Sequence, residues 1–503
     1  MLLEMHCHTR RHSSCSILSP VSLIRGVQEK NLDGVVITDH CYVWPQEELE
    51  QLRAEAEVDR FFVILSGQEI NTDFGHVLAF GIPHSITGRV RVDDIRAEFP
   101  DVALVWAHPW RGGADPDESR LQSASLDAIE IFNSNHSNWQ NYMGLNEWHR
   151  RRFTAVAGSD AHSRGRVGIL PTQLDHPVST VEELAREIRE GHCRPYMKEA
   201  IQTALNSSVT KVTVGTKGED ETRVRFVIKQ VSEDKWSRTR AETDLLRIAQ
   251  RSGFAGGRFR VPDVLEVNDG RRTIIEEGQR GRTLYNLLVS VRESAAADYL
   301  ALSAQWLARL HTAAMHHTGV ERSLKKERHR MRSYRHKFES THSPYLRQAN
   351  ELIGLVESFE RDAVTARAGE CVQLHGDYQP RNILIGQDKS LDPDTRFISV
   401  VDFGSSLELL PAFDIGWFLS HFRHQLSSHP RLLARFPDDV FVNAYAGELG
   451  APPPDSFHAD VALFTVRGFL SIAAYLIMVG KGESEEMRDV MAQAEGLCAG
   501  VSR

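Results

Sequence analysis

Two groups of residues in this 503-residue chain could carry out phosphorus chemistry. The first comprises His6 and His8 in MHCHT, Asp39 and His40 in ITDH, Glu69 in GQEI, His76 in GHVLAFG, His108 in AHPW, and Asp160 and His162 in GSDAH. A lone H-x-H pair is a weak signal. Neutral imidazoles joined by bridging carboxylates suit Zn, Mn or Fe. Several such ions held together activate water and clamp the attacking and leaving oxygens of a phosphate ester. Any one of these histidines is more simply read as a satisfied or exposed residue. Recurring wherever a strand stops, they are poorly explained by coincidence.

The second group is Asp377 and Asn382 in VQLHGDYQPRNILI, with Asp402 in FISVVDFGS. In phosphoryl transfer one Asp orients or deprotonates the acceptor hydroxyl. An Asn and a second Asp hold Mg ions that bridge the nucleotide phosphates. D-x-x-x-x-N alone says little, but HGD-x4-N followed by an apolar strand and DFG says much. Lys229 in RFVIKQV fits the lysine of the α- and β-phosphates, and Glu242 in the next helix fits its ion-pair partner.

The elements that must position these groups differ between the halves. Over the first 200 residues, apolar β-type runs (DGVVITDH, FFVILSGQEI, VALVWAHP, DAIEIFNSN, FTAVAGSDAH) alternate with helical patterns. SPVSLIRGVQEKN and STVEELAREIREG open on Ser/Thr caps, and the second ends at Gly191. This alternation predicts parallel strands in an α/β layer or barrel, with chemistry at the C-terminal strand ends. Near 196–210 the character changes. VTKVTVGTKG and ETRVRFVIKQV read as antiparallel strands, SRTRAETDLLRIAQRSG as a helix, and PDVLEVNDGRRTIIEEG as a strand pair turned at Asn268-Asp269-Gly270. From about 283 the pattern is mostly helical. RRTIIEEGQRGRTLYNLL reads as a hinge between lobes, where backbone at Glu276, Glu277 and Gly278 would meet adenine.

HCHT, ITDH, AHP and GSDAH, in this order, resemble the four motifs of the polymerase-and-histidinol-phosphatase (PHP) superfamily, over residues 1–200. The resemblance implies a distorted (β/α)7-type barrel holding two or three divalent ions and hydrolysing phosphoesters. It implies His6, His8, Glu69, His108, Asp160 and His162 as ligands, with His40 and His76 beside them and Asp39 as ligand or orienter. Asp160 or a histidine would manage protons. Glu4 stands where the family often has Asp. His12 and Ser14, in the segment after His8, are candidates near a third ion. Arg10, Arg11, Arg164 and Arg166 flank the motifs and could hold substrate phosphate or simply solubilise the surface.

Residues 205–503 resemble the aminoglycoside phosphotransferase family, which shares the protein-kinase-like bilobal α+β fold. The small lobe would run from about 205 to 280 and the large lobe from 281 to 503. HGD in place of H-R-D favours a small-molecule kinase using ATP or GTP with Mg. Asp414 in LPAFDIGWFL corresponds to the family's later, structural Asp. The expected phosphate loop holds only Gly215 and Gly218.

Bulk properties narrow the partners. A net charge of -9 gives no global basic footprint for nucleic acid. The basic stretch ERSLKKERHRMRSYRHKF reads first as a solvated helix face and second as a docking surface for an anion. The six cysteines show no C-x-x-C and fit a reducing, cytoplasmic setting. Met1-Leu-Leu-Glu is no signal-peptide start. VALFTVRGFLSIAAYLIMVG carries Arg467 and reads as a core helix, not a membrane span. The expected protein is a bifunctional α/β enzyme acting on a small phosphate ester and a small hydroxyl acceptor. The alternatives are a phosphatase gated by a nucleotide-binding, non-catalytic kinase-like module, or a nuclease. Trp44, Trp106, Trp110 and Trp139 near the motifs keep the nuclease reading in view.

Overall fold

The computed structural model describes the whole chain except residues 114–115, 205–206, 217–223, 291–292, 389–391, 451–453, 455 and 502–503. Gly218, half of the expected phosphate loop, lies outside the described residues. Contacts divide the chain into two compact units. One is built from Met1–Gln230 with Leu265–Gly278, the other from Val231–Val264, Gln279–Asp388 and Asp392–Arg503.

In the first unit the apolar runs form strands as their β-branched content predicts. Helix Pro20–Glu29 starts at the Ser19 cap, and Val181–Arg189 starts in a Thr180/Glu183 capping box. The strands do not close into one barrel. They form a five-stranded sheet, in the order Cys193–Pro195, Thr172–Leu174, Leu2–Glu4, Gly34–Ile37 and Val63–Ser66. A second sheet has six strands, in the order Arg89–Val90, Gln68–Thr72, Gly75–Phe80, Ala103–Trp106, Ala128–Asn133 and Ala155–Gly158.

The distorted (β/α)7-type barrel that the resemblance implies is thus represented, among the described residues, by two separate sheets. The physical reason is local. FFVILSGQEI, which reads as one strand, breaks at Gly67, where a Cβ would lie 2.7 Å from Phe80. Antiparallel strands also interrupt the parallel series: Gln68–Thr72 pairs with Gly75–Phe80, and Leu2–Glu4 with Thr172–Leu174. Isolated bridges at Cys7–Ala161 and His40–Glu69 still link the strand ends that carry the motifs.

An antiparallel sheet follows, ordered Met197–Ala204, Ser207–Val214, Val224–Val231, Thr273–Glu277 and Val264–Asn268. Val212, Val214, Phe226 and Ile275 share one core with Trp110, Ile131, Phe132 and Tyr142. Gly215 is committed to this packing. Its φ is 88°, and a Cβ would sit 2.0 Å from the Ile169 carbonyl.

The second unit is mostly helical, as expected. Its four-stranded sheet runs Phe259–Arg260, Arg396–Val400, Ile383–Gln387 and Arg282–Thr283. Helix Phe457–Met478 is long and apolar enough to cross a membrane by length and composition, yet 72% of its most apolar window is buried inside the protein. Arg467 sits fully buried in it. Its Nε donates to Glu327 Oε2 at 2.9 Å, and Arg330 donates to the other Glu327 oxygen at 2.6 Å. Burial favours the neutral form of Glu327, but the two arginines outweigh it and hold its pKa below the usual range. Glu360 lies beside this group and, among the described residues, has no cation of its own. Burial, and then the Glu327 charge, push it up to about 8.

The folded chain thus keeps Glu360 protonated at pH 7, where the unfolded chain ionises it. Its contribution to stability is complete below the ordinary carboxyl pKa and is lost as pH rises toward about 8. Glu360→Gln cannot ionise. Its stability relative to the parent should climb over that window, by up to about 1.4 kcal/mol per pH unit. Urea denaturation at several pH values reads this; parallel pH dependences in the two proteins would refute it.

Candidate functional site

The first site sits where the strands of the first unit end. His6 and His8 follow Leu2–Glu4, His40 follows Gly34–Ile37, His108 follows Ala103–Trp106, and Asp160 and His162 follow Ala155–Gly158. Glu69 and His76 lie within their strands. His108 and Asp160 take positive φ, 33° and 48°, a conformation costly for such residues and concentrated at functional sites.

Glu69 is the hub. Its Oε2 lies 3.1 Å from His8 Nε2, 3.1 Å from His40 Nδ1 and 3.6 Å from His6 Nε2. Its Oε1 lies 2.7 Å from His76 Nδ1 and 3.0 Å from His108 Nε2. Asp160 Oδ1 faces His8, His6 and His162 at 3.3, 3.6 and 3.5 Å. The Nε2 atoms of His6 and His8 face each other at 3.2 Å. Three donor sets result, His6–Glu69–His108, His6–His8–Asp160 and His8–His40–His162, each with ligand atoms mutually within 4.8 Å. All eight expected ligands thus converge.

The electrostatics favour positive charge at His6, while burial lowers His40 to about 4. Burial disfavours a charged His6, yet Glu130, Asp160 and Glu69 outweigh it and hold its pKa well above the usual value. Burial likewise raises Glu69 and Asp160, but the surrounding imidazoles outweigh it, joined by Arg111 at Asp160, and keep both carboxyls well below the carboxylate range.

Sequence reasoning named Asp39 as a possible orienter and missed the other residues that orient these side chains. Glu130 Oε1 lies 2.9 Å from His6 Nδ1, and its Oε2 accepts from the His108 N–H at 2.9 Å and from Asn133 at 2.9 Å. A proton on Nδ1 held by Glu130 leaves Nε2 free to face the cluster. Ser13 Oγ lies 3.4 Å from His8 Nδ1 and donates to Asp39 at 2.6 Å. Asp39 also accepts from Thr9 and from Trp44 Nε1, so it orients the loop and does not face the cluster. Glu4 accepts from the backbone N–H groups of His6, Ser159 and Gly168, tying the first strand to the GSDAH segment.

His12 stacks on Tyr42 with rings 3.5 Å apart, Ser14 is exposed, and Ser13 is the serine beside His8. Arg11 and Arg164 pair with Glu48 and Glu29, and Arg166 donates to the Ser134 carbonyl. The arginine that reaches the cluster is Arg111, on Asp160 Oδ2. His136 is buried near Glu130, His108, Arg111 and Asn141; burial lowers it to about 4. Trp44, Trp106 and Trp110 are core residues, and Trp139 is 43% exposed. Glu130 carried the one legible signal, a lone carboxylate inside the apolar run AIEIFN.

The second site lies in the second unit. Asp377 Oδ1 accepts from Trp417 Nε1 at 2.9 Å and from Gln379 Nε2 at 2.8 Å. Its Oδ2 accepts from Asn382 Nδ2 at 3.0 Å. Burial, then the charge of Asp402, push its pKa up to about 7. The HGD turn needs its glycine: Gly376 has φ 77°, and a Cβ would meet the Ser405 carbonyl at 2.3 Å. Asp414 accepts from the His375 and Gly376 N–H groups at 2.7 and 2.8 Å, the structural part expected of it. His375 Nε2 donates to the Val401 carbonyl at 3.1 Å, linking HGD to the strand before Asp402. Asp402 itself has φ 69°. Glu242 Oε2 points toward Gly404.

Lys229, Glu276, Glu277 and Gly278 fall in the first unit. There Lys229 Nζ lies 2.9 Å from Glu276 Oε1. Glu277 accepts from Asn138, and the Gly278 N–H donates to the Arg225 carbonyl at 2.8 Å.

Residues 203–447 match the phosphotransferase enzyme family. The HGD, Asn382 and DFG segments lie inside that match. Residues 138–193 match a family described as PHP-associated. No curated protein matches the chain. Among solved structures, an ethanolamine kinase of Plasmodium vivax is 15% identical, covering 60% of this chain and 82% of its own, with TM-score 0.40. A choline kinase of Cryptosporidium parvum is 14% identical, with coverages of 61% and 90% and TM-score 0.43. An aminoglycoside phosphotransferase of Streptomyces rimosus is 17% identical, with coverages of 53% and 92% and TM-score 0.37.

Proposed function

We propose that the chain is a bifunctional enzyme, in which a metal-dependent phosphoesterase of the PHP type is joined to a small-molecule kinase. The observation that carries the first half is Glu69, one buried carboxylate facing five imidazoles. A carboxylate offers about four lone-pair sites. Five rings aimed at it, with two ring nitrogens facing each other, are a donor set built to share cations. This chemistry suits two to three ions of Zn, Mn or Fe, held by His6, His8, His40, Glu69, His76, His108, Asp160 and His162. When bound, such ions supply Lewis acidity and lower the pKa of water.

The chain's own residues do the rest. Glu130 fixes the tautomer of His6, and Ser13 with Asp39 fixes that of His8. Arg111 neutralises one Asp160 oxygen and offers its remaining N–H groups to a substrate phosphate.

In the second half, Asp377 takes the proton of a hydroxyl on a small acceptor. Trp417 and Gln379 fix one of its oxygens and leave the other toward Asn382. Asn382 and Asp402 would hold Mg with ATP or GTP, which supplies the transferred phosphoryl group and neutralises its charge.

The test is incubation of the full chain with ATP and a metabolite extract, following phosphate gain and loss by mass spectrometry. Asp377→Ala should lose only the gains and Glu69→Gln only the losses. One variant losing both, or neither losing either, would overturn the assignment.

A further inference from the structure

Neither proposed reaction uses the cavity of about 530 Å³ in the second unit. Its wall includes Arg238, Arg322, Lys325, Lys326, His329 and Arg332, against one carboxylate, Glu242. Asp377 and Asn382 do not line it; its floor is Phe403, Gly404 and Ser406, just after Asp402. Five of the six basic residues come from helix Val320–Ser340. Their spacing of three, one, three and three places them on one face, where like charges repel one another.

That repulsion is not relieved within the protein. On the same helix, Arg330 and Arg335 have carboxylate partners, Glu327 and Glu357. Among the described residues, Arg322, Lys325 and Arg332 have none. Lys326 and Arg238 are spent differently. Lys326 Nζ donates to the Ser405 and Ser406 carbonyls at 2.9 and 3.0 Å, and Arg238 Nε donates to the Gly404 carbonyl at 2.5 Å. They brace the turn beneath the cavity, while the other three guanidinium and ammonium groups face open space. The volume is that of a small-molecule site. It is too small and too concave for a duplex or a protein surface. Arginine forks beside a lysine match phosphate oxygens.

We propose that this cavity binds a small polyanion bearing two or more phosphate groups, at a site separate from that of Asp377 and Asn382. Bound there, the anion would sit on the turn that carries Asp402, so its occupancy would bear on that residue's position.

Calorimetric titration of the full chain with inorganic pyrophosphate, in buffer free of divalent metal, tests this. The parent should bind saturably. Arg322→Ala/Lys325→Ala, two changes at exposed positions, should weaken binding roughly tenfold or more. Arg328→Ala, an exposed cation of the same helix outside the cavity, should leave it unchanged. Three outcomes would overturn the proposal: no saturable binding to the parent, undiminished binding to the double variant, or an equal loss in Arg328→Ala.

Discussion

Asp377→Ala should abolish phosphate transfer to the acceptor, lowering kcat by about 10²- to 10⁴-fold, the usual worth of a positioned general base. The geometry says why this residue and not its neighbours. Three side-chain donors, Trp417 Nε1, Gln379 Nε2 and Asn382 Nδ2, converge on its two oxygens and fix the plane of the carboxylate. Alanine removes the proton acceptor and leaves those donors facing nothing. Asparagine would be little better. One end of its amide must present N–H groups either to Asn382 or to the Trp417 and Gln379 pair, and all of these are donors. The KM for ATP should change little in either variant, since Asp377 serves the acceptor hydroxyl. Hydrolysis of phosphoesters by the same preparation should persist. ADP release measured with the acceptor found in the metabolite experiment decides the matter. A rate within tenfold of the parent would remove Asp377 from the chemistry.

Most of the first site was legible because its expected ligands, Glu69 and His76 apart, stand where strands stop, and strand ends show in sequence as an apolar run meeting a His or Asp. Of the orienting residues only Asp39 was. Glu130 looks like one polar position in a strand, and only the fold brings it 2.9 Å from His6, 124 residues away. Arg111 and His136 lie in loops whose course no periodicity dictates. At Gly67 a close approach to Phe80 turns one expected strand into two. A glycine within β-branched residues signals such a break only weakly. In the second half the HGD and DFG segments were legible because their chemistry demands fixed spacing. The packing of strands Ser207–Val214 and Val224–Val231 against Trp110 and Phe132 was not, since burial of alternate residues does not name the partner surface.

The two sites also differ in what they ask of a buried carboxylate, and this separates their tests. At Asp377, burial and a neighbouring like charge favour the protonated form, as suits a group that must accept and release a proton. At Glu69, the surrounding imidazoles overcome the same burial and keep the group ionised, as suits a ligand. A change of charge without a change of shape therefore strikes Glu69 at its function.

Glu69→Gln keeps the volume and leaves one oxygen acceptor, but its amide nitrogen brings N–H groups toward rings that need a lone-pair donor. The purified parent should carry two to three ions of Zn, Mn or Fe per chain. The variant should carry at least one fewer after passage over a chelating resin, with phosphoester hydrolysis lost and phosphate transfer retained. Because five imidazoles converge on this one carboxylate, no other single substitution should remove as much metal. Elemental analysis together with circular dichroism is the measurement. A folded parent without metal, or a folded variant with its full complement, would show that Glu69 is not the bridge on which the hydrolytic site depends.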